Sequence, residues 1–175
     1  MGTRRFEISI WLVSGRGIIL SASAKKMRII AASLVDSLDN AQKSKACFSF
    51  EDLDRKTWYY TPTDHGGLPL CNMTSFQHRL VHSLVSAGLS MSGYNTVAAI
   101  MGLDNILDNV EGFKANFGRD RGRDPTLYYL SIFGSPTSSE LWGWRFGGHH
   151  VSLNYPLYGQ RIVSVTPSFF GADPA

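Results

Sequence analysis

From Trp142 to Tyr155 a large apolar side chain recurs at every second position on either side of Gly147 and Gly148. A period of two belongs to a strand with one buried face. Two glycines between two such runs signal a hairpin, and a two-residue loop sets its register. With Gly147-Gly148 as the turn, Phe146 is expected opposite His149, Arg145 opposite His150, and Trp144 opposite Val151. One face then collects Trp142, Trp144, Phe146, Val151, Leu153 and Tyr155, with His149 at its end. The other collects Arg145, His150, Ser152 and Asn154. The aromatic face reads as core. The polar face needs hydrogen-bond partners, which a ligand, a metal or further protein would supply.

The elements around this hairpin define the fold class. Met27, Ile30, Ala31, Leu34 and Leu38 recur at helical spacing from about Lys25. Asp39 with Gln42, and Thr74 with Gln77, read as capping boxes that open two further helices. The second carries Phe76, Leu80, Val81, Leu84 and Val85 inward and stops at Gly88. Another helix is expected from Ser92 to Gly102, and a short one around Ile106, Leu107 and Val110. Strands are expected over residues 127–133, 142–146, 149–155 and 161–166, the last after a Gly159-Gln160 turn. Helices first and strands second predict an α+β fold, with N-terminal helices on one face of a C-terminal antiparallel meander. No second layer is evident for the polar face. It is therefore expected to be more accessible than the face bearing Trp144 and Val151.

Composition excludes several classes. The chain has 175 residues, 43% hydrophobic and 18% charged, with a net charge of +3. That is a globular balance, neither disordered nor coiled coil. The small, dispersed positive charge gives no nucleic-acid footprint. No apolar run reaches the ~20 residues of a membrane span. Cys47 and Cys71 form no disulfide framework and no Cys-x-x-Cys, which points to a reducing, cytoplasmic setting. Residues 1–24 stand apart as a leader, with export as the alternative reading of that segment. Residues 25–175 are expected to form one α+β domain.

Histidines carry the chemistry. If His149 and His150 are strand neighbours, they point to opposite faces and do not chelate one ion together. His150, beside Arg145, Ser152 and Asn154, is the candidate catalytic centre. Imidazole suits copper, iron or zinc and serves as a base near neutral pH. His65, in the glycine-rich loop Thr63–Gly67, is a further candidate ligand. His78 and His82 share a helix face, but Arg79 stands where a zincin needs glutamate, so that face reads as solvated. The loop carrying Arg119, Arg121 and Arg123 among Asp120 and Asp124 reads as self-compensating. There is no phosphate loop and no nucleophile elbow. Asn72-Met73-Thr74 is a sequon, but Thr74 is committed to a cap.

Four blocks are recognisable. They are residues 58–70, 123–129, 142–154 and 166–175, and the chain from Met27 to Ala175 resembles a family catalogued as domain of unknown function 3500. The resemblance names no reaction. It implies members about twice this length, with a second half bearing its own histidine-rich motif. Residues 1–24 do not share it. Pro156 departs from the pattern and is expected at an edge or bulge, since proline lacks a ladder donor.

On that basis the chain is expected to be half of a metal-dependent, oxidoreductase-like enzyme acting on a small molecule. His150, Arg145, Ser152 and Asn154 would form its site. His150, His149 and His65 would be its metal ligands, the ion being copper, iron or zinc. The alternatives are a small-ligand or partner-binding module anchored by Trp142, Trp144 and Tyr155, and a fragment without a full site. Phe169 and Phe170 near the end of the chain add the expectation that it needs a second half or self-associates.

Overall fold

A computed structural model describes residues 22–174. Residues 1–21, which hold most of the expected leader, lie outside the described residues, as does Ala175. Helix α1 spans Ala22–Ser37, three residues earlier than expected, and Ala24 is already in the core. Ala24, Met27, Ala31 and Leu34 are buried, a spacing of three and four that keeps one stripe inward. Withdrawing each large aliphatic side chain from water contributes on the order of 1.5–3 kcal/mol.

Helices α2 (Asn40–Ala46) and α3 (Ser75–Gly88) both begin with the expected capping boxes. The two boxes also clasp each other. The Gln42 amide donates to Gln77 Oε1 at 3.0 Å, and the Gln77 amide returns a bond to Gln42 Oε1 at 2.9 Å. Gln77 donates as well to the carbonyl of Ser37 at the end of α1 (2.8 Å). Three helix ends are thus tied by two side chains, which explains why a glutamine lies buried on α3.

Phe76, expected inward, lies instead on the surface near the guanidinium of Arg79, while Val81, Leu84 and Val85 face the core. Helix α3 does stop at Gly88, but not through a left-handed backbone. A Cβ there would sit 2.7 Å from the ring of Tyr155, so glycine serves a close approach. Helix α4 runs unbroken from Met91 to Val110 where two helices were expected. Gly102 faces open space and weakens the helix without ending it.

The sheet is mixed. Strands β3 (Tyr129–Phe133), β4 (Leu141–Gly148) and β5 (Val151–Tyr158) form the antiparallel centre, and β6 (Arg161–Ile162) follows the Gly159-Gln160 turn. Strand β1 (Cys47–Phe48) joins β3 in parallel, which the meander expectation did not include. Strand β2 (Leu68–Pro69) also pairs with β3, and β7 (Ser168–Phe170) pairs with β5. The class is α+β, with the helices on the aromatic face of the sheet.

The hairpin register differs from expectation. Phe146 pairs with Leu153 rather than His149, and Arg145 with Asn154 rather than His150. The turn is His149-His150, and both glycines belong to β4. Their role is close approach. A Cβ on Gly148 would meet the Tyr128 ring at 2.5 Å, and one on Gly147 would meet His65 Nδ1 at 3.1 Å. Each partner moves by four positions, an even number, so the sorting of faces survives. Trp142, Trp144, Phe146, Val151, Leu153 and Tyr155 are all buried in the core.

The polar face is covered, not open. Arg145 and Asn154 are only 4% and 6% exposed, close to the 1% of Trp144. The segment from Leu53 to Gly67 and the chain around Pro167 lie over it. Arg145 donates to the carbonyls of Asp54 (2.6 Å), Thr57 (2.9 Å) and His65 (2.7 Å) and to the Asp54 carboxylate (2.7 Å). Asn154 reaches the Pro167 carbonyl at 3.5 Å. Val163 and Val165, in the chain after β6, are exposed. Pro156 lies inside β5 opposite Gly143, between the stretch of β5 paired with β7 and the stretch paired with β6. Among the described residues no helix is long and apolar enough to cross a membrane.

Candidate metal centre

The displaced turn creates the site. As turn residues, His149 and His150 are released from the alternation that would have set their rings on opposite faces. Their ring centroids lie 4.2 Å apart. His150 has φ 59°, in the left-handed region that glycine favours and other residues enter at a cost. Its backbone is pinned on both sides: its N–H donates to the Tyr60 carbonyl (3.0 Å), and its carbonyl accepts from Gly171 (2.9 Å). A strained, well-held residue of this kind is the pattern of a functional position.

The third member comes from the end of the chain. Strand β7 runs beside β5 towards the turn, Phe170 pairing with Val151, and carries Asp173 to the two imidazoles. One ligand atom each from His149, His150 and Asp173 lie within 4.8 Å of one another. His149 Nε2 and Asp173 Oδ2 are 4.0 Å apart. Donors bonded tetrahedrally at about 2.1 Å would stand about 3.4 Å apart, so a small closure brings the set to coordination distance.

Behind His149 stands a buried carboxylate. Asp104 of α4 places Oδ1 2.8 Å from His149 Nδ1. The Tyr128 hydroxyl lies 2.7 Å from the His149 carbonyl and 3.1 Å from Asp104 Oδ2. Burial pushes the Tyr128 phenol far above its usual range, and the charge of Asp104 pushes the same way. His150 is held below the usual histidine range, first by burial and then by the charge of His149, against the pull of Asp173 and Asp104. Its Nδ1 is buried and has no hydrogen-bond partner. Nearby, Arg123 makes a two-pronged pair with Glu111 (2.7 and 2.9 Å).

Of the expected residues, the structure brings together His149 and His150 and leaves the rest outside that cluster. His65 is buried elsewhere, bonded through Nε2 to the Thr61 carbonyl (2.9 Å) and stacked on Tyr129, and it is not part of the ligand cluster. Arg145, Ser152 and Asn154 are buried under the covering segments, and Arg145 holds those segments in place. His78 and His82 are not a solvated pair. They are half-buried, one bonded to the Leu70 carbonyl (2.6 Å), the other to the Tyr94 hydroxyl (3.2 Å). The arginine loop is not self-compensating either, because Arg121 pairs with Asp108 of α4 and Arg123 with Glu111.

Asp173, Asp104 and Tyr128 were not foreseen. Asp104 did leave a signal: it falls on the buried stripe of α4 with Val97, Ile100, Met101 and Leu107, where an acid needs a reason.

Fold and site together describe an α+β domain whose central hairpin carries a two-histidine, one-carboxylate cluster at its tip. The chain belongs to the family described as protein of unknown function DUF3500, which matches residues 21–175. No curated protein and no solved structure matches it.

Proposed function

We propose that His149, His150 and Asp173 bind a single transition-metal ion and that the domain is the metal-bearing part of a metal-dependent, oxidoreductase-like enzyme. The observation that carries this is the convergence of two imidazoles and a carboxylate within 4.8 Å. Two histidines and one carboxylate on one side of an ion leave positions open opposite them, and this donor set suits iron(II) or zinc. The Asp173 side chain is 44% exposed, so the ion would stand within reach of a small-molecule substrate. An ion there would supply Lewis acidity or, if iron, electron transfer. Cys47 and Cys71 are free thiols, and burial raises both above the usual thiol range, in keeping with a reducing compartment.

The test is elemental analysis of the full chain purified after growth with added iron and zinc, beside His150→Ala and Asp173→Ala. Near-stoichiometric metal in the parent and little in either variant is the expected result. Trace metal in all three sinks the proposal.

A second reading has its own observation. Trp58, Tyr60 and Phe169 form a partly exposed ring cluster, with centroids 5.8–6.4 Å apart, and Phe169 meets His150 edge-on. This would suit a non-catalytic module for a flat ligand, whose binding survives chelation of any metal.

A further inference from the structure

Asp104 is 3% exposed, yet its side-chain partners are the neutral Tyr128 hydroxyl and the imidazole of His149. An ionised carboxylate only accepts, so the hydrogen between Asp104 and His149 belongs to His149 Nδ1. In the neutral ring that assignment leaves Nε2, the nitrogen facing Asp173, with its lone pair available. The Tyr128 hydroxyl has one hydrogen and two acceptors in reach, and the nearer is the His149 carbonyl. Asp104 Oδ2 therefore has only the longer share of that hydrogen, at 3.1 Å.

Asparagine would satisfy this pocket better. Its oxygen would accept from Nδ1–H, its amide would donate to the Tyr128 oxygen, and that hydroxyl would keep its bond to the His149 carbonyl. If Asp104 served only to hold a ring in place, its charge would add a desolvation cost that asparagine avoids, offset in part by the attraction of Arg123. A buried carboxylate behind a ligating histidine has a known use. It fixes the tautomer and ring orientation and strengthens the opposite nitrogen as a donor to a cation.

Resting on the metal reading above, we infer that Asp104 is the positioning residue of the centre, its negative charge directing His149 Nε2 at the ion. Tyr128 completes the device by bonding the His149 carbonyl and so fixing the turn. The charge, and not the hydrogen bond alone, is what the site requires.

The experiment titrates the full chain with Co(II) and follows its ligand-field absorption, for the parent, Asp104→Asn, Asp104→Ala and Tyr128→Phe. Circular dichroism of each checks the fold, and nitrogen-15 NMR of the metal-free chain reports the His149 tautomer. The expected result is a well-folded Asp104→Asn that retains the Nδ1–H tautomer yet binds Co(II) about 10–100-fold more weakly, with a shifted spectrum. Should Asp104→Ala fail to fold, the asparagine and phenylalanine variants still decide. Parent-like affinity and spectrum in Asp104→Asn overturn the inference and leave the metal reading standing. A parent chain that takes up no Co(II) overturns both, a pattern distinct from the first.

Discussion

Replacing Arg145 by methionine should destabilise the fold and leave the chemistry of the hairpin tip in place. Arg145 was expected in the catalytic row, but its guanidinium spends its donors on three backbone carbonyls and the Asp54 carboxylate, at 2.6–2.9 Å. Methionine keeps the stem beside Phe133 and deletes every one of those bonds. The bond to the His65 carbonyl is buried, and its loss costs about 1.5–3 kcal/mol because the donor is charged. The remaining acceptors are only partly buried, and the Asp54 side chain is 34% exposed, so water recovers much of their loss. The total is roughly 3–5 kcal/mol, the range for removing one partner of a buried ion pair. In a chain of this length that lowers the melting temperature by about 6–20 °C. Urea unfolding measures the energy, and limited proteolysis should show cleavage between Leu53 and Gly67 appearing first, as that segment loses its clamp. A loss below about 1 kcal/mol, with parent-like proteolysis, would refute the reasoning. An arginine used only in catalysis would give that result.

Two glycine replacements should move stability in opposite directions. Gly88→Ala drives a Cβ into the Tyr155 ring and should cost about 1–3 kcal/mol, whereas Gly102→Ala, facing open space in mid-helix, should add about 0.5–1 kcal/mol. Urea midpoints of the two variants check both signs. Acid should weaken the fold through His65 and His82, both held below the usual histidine range chiefly by burial. A depressed histidine favours its neutral form in the native state. The unfolded chain therefore binds more protons below about pH 6.5, and stability is full above that value and lost as pH falls. The urea midpoint should be flat from pH 8 to 7 and decline towards pH 5, less steeply in His82→Gln. A midpoint that rises on acidification would contradict the assignment.

The fold was legible where its determinants are local. Both capping boxes lie within four residues of chain, and each forms as read. What local reading lacks is the bond between the boxes, because Gln42 and Gln77 meet only after α1 and α3 pack. Gly102 and Gly88 were both read as helix ends, and of the two only Gly88 ends its helix. One tolerates its position and the other answers to Tyr155, a residue 67 positions away. Parallel pairing of β1 with β3 is likewise non-local, and two residues of strand leave little periodicity to read.

The site shows how a wrong turn can preserve a right face. Gly147 and Gly148 suggested the loop, but glycine also marks places where another ring must come close, and Tyr128 and His65 occupy those places. Because the displacement was even, the core was correct on every residue of the aromatic face, and only the turn was misplaced. That one error carried the chemistry with it. On a strand, His149 and His150 diverge, and His150 belongs with Arg145, Ser152 and Asn154. In the turn they converge, and a third member of the cluster has to come from a segment that reaches the hairpin tip. Strand β7 is that segment, because antiparallel pairing to β5 obliges the chain after Phe170 to emerge beside His150. Asp173 is the first carboxylate on it. Once the register is known, the third member of the cluster follows from topology, and Asp104 is the buried acid of α4 that meets His149.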